Sequence, residues 1–400
     1  MNDTQLREIL KNYPTPFYLL DAEELQNRMA FLRKHLPSQV ELCYAVKANP
    51  FLVRELLPLA DRFEICSPGE LAICQKMGVP SEKQVVSGVY KNALLMQQTV
   101  QHDVQAGAST GIYTVESMSQ FSILQEAAKA AGTKLPVLLR LTSGNQFGLD
   151  GDEIEQMIAG RFENPWLHIR GIQYFSGTQK TSLKRLQREI NLLDSFLEHL
   201  SERYGYQAEE LEFGPGLPVS YFEGEAFDEP VFLREFSALL EDMNFSGKII
   251  LELGRSIAAS CGRYLTQVVD LKTNRQGSFA IVDGGMHQLV YFGQSMAMKQ
   301  PGIRVLSPYS EAETHRWNIC GSLCTVNDIL VKQMPLPPLH IGDVLVFEKT
   351  GAYCMTEGIS LFLSRDLPKV LLATSSGKIR ILRDSIETEI FNTPNYFEEI

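Results

Sequence analysis

Several side chains able to do chemistry stand where short apolar runs end. Lys47 closes the run Glu41-Leu-Cys-Tyr-Ala-Val-Lys47, just ahead of Ala-Asn-Pro50. Glu252, Gly254 and Arg255 close Lys248-Ile-Ile-Leu-Glu-Leu-Gly-Arg255. Gly177-Thr-Gln179 and Gly214-Pro-Gly216 each follow an apolar run, and Arg140 lies inside Pro136-Val-Leu-Leu-Arg-Leu141. An ammonium at the inner end of an apolar run is poorly hydrated, which favours the free amine, a nucleophile toward carbonyls. A glycine-rich turn leaves backbone N–H groups free to cradle a phosphate, and a nearby arginine adds a charge-assisted clamp. A carboxylate in the same place can keep a ring nitrogen protonated. Each feature alone has an ordinary explanation. A strand-end lysine snorkels to solvent, Gly-Pro-Gly makes a turn, and Glu-x-Gly-Arg makes a salt-bridged pair. Together they answer three needs of pyridoxal 5′-phosphate (PLP): an imine, a phosphate and a ring nitrogen.

Bringing those residues to one place needs a scaffold whose strand ends converge. From residue 40 to 254 short β-type runs alternate with amphipathic stretches. The runs are 41–47, 62–66, 84–88, 111–115, 136–141, 169–175, 210–214 and 248–254; residues 182–200 show the helical three-and-four spacing. Eight alternations predict a (β/α)8 TIM barrel over residues 24–262, a size compatible with the ~250 residues typical of that fold. An open doubly wound sheet is the competing arrangement, but no G-x-G-x-x-G follows the first strand. From 263 to 400 the pattern turns β-like, with 327–333 the one stretch that could be helical, and predicts a C-terminal all-β domain. Thr15-Pro-Phe-Tyr-Leu-Leu-Asp21 is a strand that periodicity can assign to either part.

The chain has 400 residues, 44% hydrophobic and 21% charged, enough for a large core split over two domains. A formal charge of −11 argues against nucleic-acid or anionic-membrane partners. No apolar run approaches the ~20 residues of a bilayer span, and the N-terminus lacks a signal-peptide core. Seven cysteines without a CxxC pair suit a reducing cytoplasm, and no metal site is expected. Cys43 and Cys66, on apolar runs, are expected in the core.

Seven ordered motifs between residues 15 and 370 resemble one family: 44–50 (YAVKANP), 63–71 (FEICSPGEL), 177–179 (GTQ), 212–221 (EFGPGLPVSY), 252–255 (ELGR), 321–328 (GSLCTVND) and 351–353 (GAY). They look like the fold type III, alanine-racemase-fold PLP-dependent decarboxylases, the group of diaminopimelate and ornithine decarboxylases. The resemblance implies a PLP-binding barrel plus a C-terminal β-domain, with residues 1–23 joining the latter. It implies that Lys47 holds PLP and that Glu252 meets the pyridine nitrogen. Gly214, Gly216, Thr178, Arg255 and Tyr353 match phosphate-binding positions, with Gly254 and Arg140 beside the cofactor. Glu64 and Glu70 match acidic positions near the cofactor and its lysine. Cys324 matches a cysteine that enters the site from a second subunit, which implies a homodimer and a proton donor to Cα; its alternative is a small buried hydrophobe at the dimer contact. Racemases of this fold place an arginine at the ring nitrogen, so Glu252 favours decarboxylation. A non-catalytic regulator would be expected to lose Lys47 or Cys324.

Three positions depart from the pattern. The motif G-x-H-x-H-x-G-S-Q becomes Gly171-Ile-Gln-Tyr-Phe-Ser-Gly-Thr-Gln179, so Phe175 stands where many relatives stack a histidine on the cofactor. Thr325 follows the cysteine where relatives use an acid on the substrate's distal ammonium. Tyr291 replaces an arginine that relatives use on a distal carboxylate, and His287 flanks it. The first-expected substrate is therefore not diaminopimelate, which stands as the alternative, nor ornithine. It is a modified or conjugated amino acid of siderophore or antibiotic-type metabolism, delivered free or on a carrier protein.

Overall fold

The computed structural model describes residues 1–225, 227–309 and 313–394. The chain divides into two compact units: Met29–Val219 with Phe227–Ile257, and Met1–Arg28 with Ser220–Ala226 and Ala258–Ile400. Strands are numbered here in chain order. β1 (Phe17–Asp21) belongs to the second unit.

The first unit is a closed barrel of β2 (Glu41–Ala45), β3 (Arg62–Ile65), β4 (Gln84–Val86), β5 (Ile112–Val115), β6 (Leu135–Leu141), β7 (Leu167–Phe175), β8 (Glu210–Gly214) and β9 (Lys248–Leu253). Neighbouring strands run parallel, and β9 returns to β2 with Glu252 opposite Cys43. The eight apolar runs of the sequence are these eight strands. Parallel strands are covered on both faces, so they read as continuous apolar runs rather than alternating ones; all five residues of β8 are buried. The helix Leu183–Tyr204 is capped by Ser182 and buries Leu186, Ile190, Leu193, Leu197 and Leu200, the stripe its spacing predicts. Gly171 lets β7 lie against β8. A Cβ there would stand 1.7 Å from the Glu210 carbonyl oxygen.

The first barrel strand is shorter than its apolar run. β2 stops at Ala45, and Lys47 lies in a 3-10 turn, Val46–Ala48, rather than in the strand. Asn49 ends that turn and caps the next by accepting from Phe51 N, with Pro50 at its first position. Tyr44 Oη donates to the Asn49 carbonyl at 2.9 Å, tying the turn to the strand.

The second unit is a nine-stranded sheet. It contains β1, β10 (Gly262–Asn274), β11 (Gly277–Val282), β12 (Ile303–Leu306), β13 (His315–Cys320), β14 (Ile329–Leu336), β15 (Val344–Glu348), β16 (Lys369–Ala373) and β17 (Ile379–Arg383). β1 runs antiparallel to β10 and parallel to β16, and all five of its residues are buried. Residues 327–333 are not helical: Ile329 and Val331, β-branched and paired to β13, carry the chain into β14.

Candidate active site

Lys47 meets its partners at the C-terminal ends of β3 and β9. Its Nζ lies 2.5 Å from Glu64 Oε2, 3.5 Å from Glu252 Oε1 and 3.4 Å from Cys66 Sγ. The Cys66 thiol donates to the other Glu64 oxygen at 2.9 Å, and Cys66 N donates to Glu70 Oε2 at 2.6 Å. The Lys47 side chain is 39% exposed, whereas Glu64 and Glu252 are 5% and 8% exposed. An amine reachable from solvent, held over buried carboxylates, is thus the centre of the cluster. Cys66, expected in the core, instead touches both charged groups.

Environment separates the carboxylates. Burial pushes Glu64 upward, but the Lys47 ammonium and the Cys66 hydrogen bond outweigh it and hold Glu64 below its ordinary value. Burial, reinforced by the Glu64 charge, pushes Glu252 up to about 8. Burial also raises Glu212 to about 7. Gln173 Nε2 links the last two, at 2.8 Å from Glu212 Oε1 and 3.4 Å from Glu252 Oε2. Below them Arg62 bridges Glu41 and Glu210 at 3.1 and 2.7 Å. Burial and the Glu64 charge push the Cys66 thiol well up, so it stays protonated as a donor.

Two loops form a backbone cradle. Gly216 has φ +63°, and a Cβ there would meet the Gly177 carbonyl oxygen at 2.1 Å and Thr178 Cα at 3.0 Å. A Cβ on Gly214 would meet the Phe175 ring at 2.5 Å. Lys180 N donates to the Gly216 carbonyl at 2.9 Å, and the Gln179 amide exchanges two hydrogen bonds with the Val219 backbone. Behind the first loop Lys180 and Ser176 share Glu189, at 2.6 and 2.5 Å. Gly254 precedes Arg255, a buried residue that opens the short helix Arg255–Ala258. Arg140 lies 3.0 Å from Glu116 and covers the Phe147 ring at 4.8 Å.

The remaining candidates lie on the sheet unit. Cys324 is an exposed free thiol, with Thr325 Oγ1 accepting from Asn327 N at 3.4 Å. Tyr353 sits at φ +64°, a strained backbone for a bulky residue. Tyr291 is 5% exposed, its ring packs on Tyr221 and Phe222, and its hydroxyl donates to the Glu348 carbonyl at 2.6 Å. His287 is 1% exposed, and burial pushes it down to about 4. Sequence reasoning assigned Cys66 to the core and passed over Gln173 and Glu212, although each lies inside or beside a motif that it used. The available signal was polarity inside an otherwise apolar barrel strand.

The barrel residues fit PLP. Lys47 offers an amine, Glu252 offers a buried carboxylate facing that amine, and the Gly177 and Gly216 backbones approach more closely than any side chain would permit. A parallel barrel with such a site, on a chain with a separate sheet unit, defines a PLP enzyme of barrel-plus-sheet type. The family model of the pyridoxal-dependent decarboxylases, described by their C-terminal sheet domain, matches residues 17–351. The chain belongs to that family: it is a PLP-dependent amino-acid carboxy-lyase. It is 28% identical to the diaminopimelate decarboxylase of Aquifex aeolicus, over 94% of this chain and 91% of that one. It is 26% identical to the L-glutamyl-[BtrI acyl-carrier protein] decarboxylase of Niallia circulans, over 98% and 96%. The crystal structure of Helicobacter pylori diaminopimelate decarboxylase with L-lysine superposes with a TM-score of 0.84 at 25% identity, over 96% and 98%. Among the described residues, no helix is long and apolar enough to cross a membrane.

Proposed function

We propose that this decarboxylase acts on an α-amino acid whose distal end is conjugated, in siderophore- or antibiotic-type metabolism, rather than on diaminopimelate. The observation that carries the proposal is Tyr291. Where the resembling family uses an arginine on a distal carboxylate, this chain has a phenol whose proton is given to the Glu348 carbonyl. Thr325, in place of an acid, offers no charge to a distal ammonium. A charged substrate end left without its partner costs about 2–5 kcal/mol. An amide or thioester end brings no such charge. The carrier-protein relative from Niallia circulans, aligned over nearly the whole chain, supports the reading. Diaminopimelate is the second reading, favoured by the relatives named for it.

Lys47 would hold PLP through its amine, Glu252 would face the ring nitrogen, and the phosphate would take the Gly214–Gly216 backbone with Thr178 and Arg255. Bound PLP supplies the sink for the electron pair left at Cα when CO2 leaves. The residues do the rest. Glu64 Oε2 anchors the lysine Nζ, and Glu252 would keep the ring nitrogen protonated. Phe175 offers an apolar face but no hydrogen bond. Cys324, carried on the partner subunit of a homodimer, would return a proton to Cα.

The test is CO2 release from a substrate panel, with Lys47→Ala as the blank. The proposal expects a γ-glutamyl amide or carrier thioester to exceed meso-diaminopimelate in kcat/KM. The reverse order would overturn it.

A further inference from the structure

Beneath Glu252 the barrel holds a second buried acid that the proposed chemistry does not use. Glu212 is fully buried on β8, and Gln173 is 2% exposed on β7. One nitrogen, Gln173 Nε2, serves both carboxylates: Glu212 Oε1 at 2.8 Å and Glu252 Oε2 at 3.4 Å. Ser87 Oγ stands 3.4 Å from the same nitrogen. The two acids are not equivalent. Both oxygens of Glu252 face donors, Lys47 Nζ at 3.5 Å and the Gln173 amide. Glu212 Oε2 is buried without a hydrogen-bond partner among the described residues.

We propose that Gln173 and Glu212 are positioning residues for Glu252: the shared amide aims the Glu252 carboxylate, and Glu212 keeps a proton so that Glu252 carries the charge. The inference rests on PLP being the group that Glu252 faces. Two carboxylates that share one buried donor cannot both ionise cheaply. A charge is poorly placed on Glu212, whose second oxygen lacks a partner, and a carboxylic acid is tolerated there far better. The groups facing Glu212 are Arg62 and Glu64 from β3, Glu210 from its own strand, Gln173, Glu252 from β9 and Cys43 from β2. Arg62 is the cation among them, and its guanidinium is already bridged to Glu210 and Glu41. Without a cationic ring to face, burial raises both acids, Glu252 to about 8 and Glu212 to about 7. With a protonated ring nitrogen to face, Glu252 becomes the better place for the charge, and the proton belongs on Glu212. In the family motif that this chain resembles, residue 173 is a histidine, which can itself carry charge. Glutamine cannot, so here the proton inventory falls to Glu212.

The test uses the PLP-loaded protein and three substitutions: Gln173→Leu, Gln173→His and Glu212→Gln. The readouts are the PLP dissociation constant and the pH profile of the visible cofactor band. Gln173→Leu should weaken PLP binding at least about tenfold, the cost of one lost hydrogen bond to a charged group, and Gln173→His should restore most of it. Glu212→Gln, isosteric and permanently neutral, should bind PLP like the wild type while losing an inflection of the band that the wild type shows. Wild-type affinity in Gln173→Leu, or an unchanged pH profile in Glu212→Gln, overturns the inference. If Glu212→Gln does not fold, the leucine and histidine pair decides alone. A wild-type protein that forms no visible band would refute the cofactor site itself, which is a separate failure.

Discussion

Lys47 is useful because Glu64 and Glu252, a short distance apart, hold their protons so differently. Glu64, 2.5 Å from the ammonium, is kept below its ordinary value, whereas burial lifts Glu252 to about 8. A pH dependence of stability follows for the cofactor-free protein. A carboxyl whose folded value stands above its unfolded value binds its proton more tightly when folded. Its contribution is complete below the unfolded value and is lost as pH rises through the folded one. For Glu252 that window runs from 4.5 to about 8, and for Glu212 from 4.5 to about 7. Glu64 has the opposite sign: its contribution stands above 4.5 and is lost as pH falls. Thermal stability of the cofactor-free protein should therefore decline across neutral pH. Glu252→Gln should flatten that decline, as read from melts in a series of buffers. A slope that Glu252→Gln leaves intact would show that these protons are held elsewhere.

At the scale of elements, the glycine-rich loops depend on close approach as much as on flexibility. Gly205 and Gly216 have φ of +57° and +63°, but a Cβ at 205 meets nothing within 4 Å, while one at 216 meets the Gly177 carbonyl oxygen at 2.1 Å. Gly205→Ala should therefore cost about 1 kcal/mol of stability and leave PLP binding intact. Gly216→Ala should push the two loops apart and weaken PLP binding at least about tenfold, with far-UV circular dichroism unchanged. Equal effects on binding, measured by cofactor titration, would rule out the cradle. The eight barrel strands were legible because parallel strands bury both faces and leave uninterrupted apolar runs. The end of β2 was not, since Val46 continues the apolar run while the Asn49-Pro50 cap turns the chain at Ala45. Cys66, Gln173 and Glu212 were missed for a related reason. Periodicity says which residues a strand buries, but not which buried polar atoms meet across a barrel. Residues 327–333 were open to a helical reading because a short apolar run fits either period; the pairing of Ile319 with Val331 decides for strand.

At the scale of the whole molecule, neither unit is a single stretch of chain. The sheet unit takes its first strand from the N-terminus and a short piece from residues 220–226. Sequence pattern left that first strand unassigned, because the pairing partners, β10 and β16, are separated from it by more than 200 residues of chain. β1 sits between them, so removing it would leave two unpaired edges inside one sheet. Its side chains also complete the core. Phe17 and Leu19 pack with Leu6 and Ile9 of the N-terminal helix Asp3–Leu10 and with Leu265, Val346 and Leu371 of the sheet. Tyr18 Oη donates to the Gln288 carbonyl at 2.5 Å, fastening the strand to the 283–292 loop that carries His287 and Tyr291. Leu19→Ala should cost about 2–5 kcal/mol, the range for a fully buried leucine. A chain lacking residues 1–21 should lose far more. It should unfold without a cooperative transition or collect in the insoluble fraction, because the sheet loses both a central strand and the helix that covers it. A truncated protein that melts cooperatively at the wild-type temperature would show that β10 and β16 do not depend on β1.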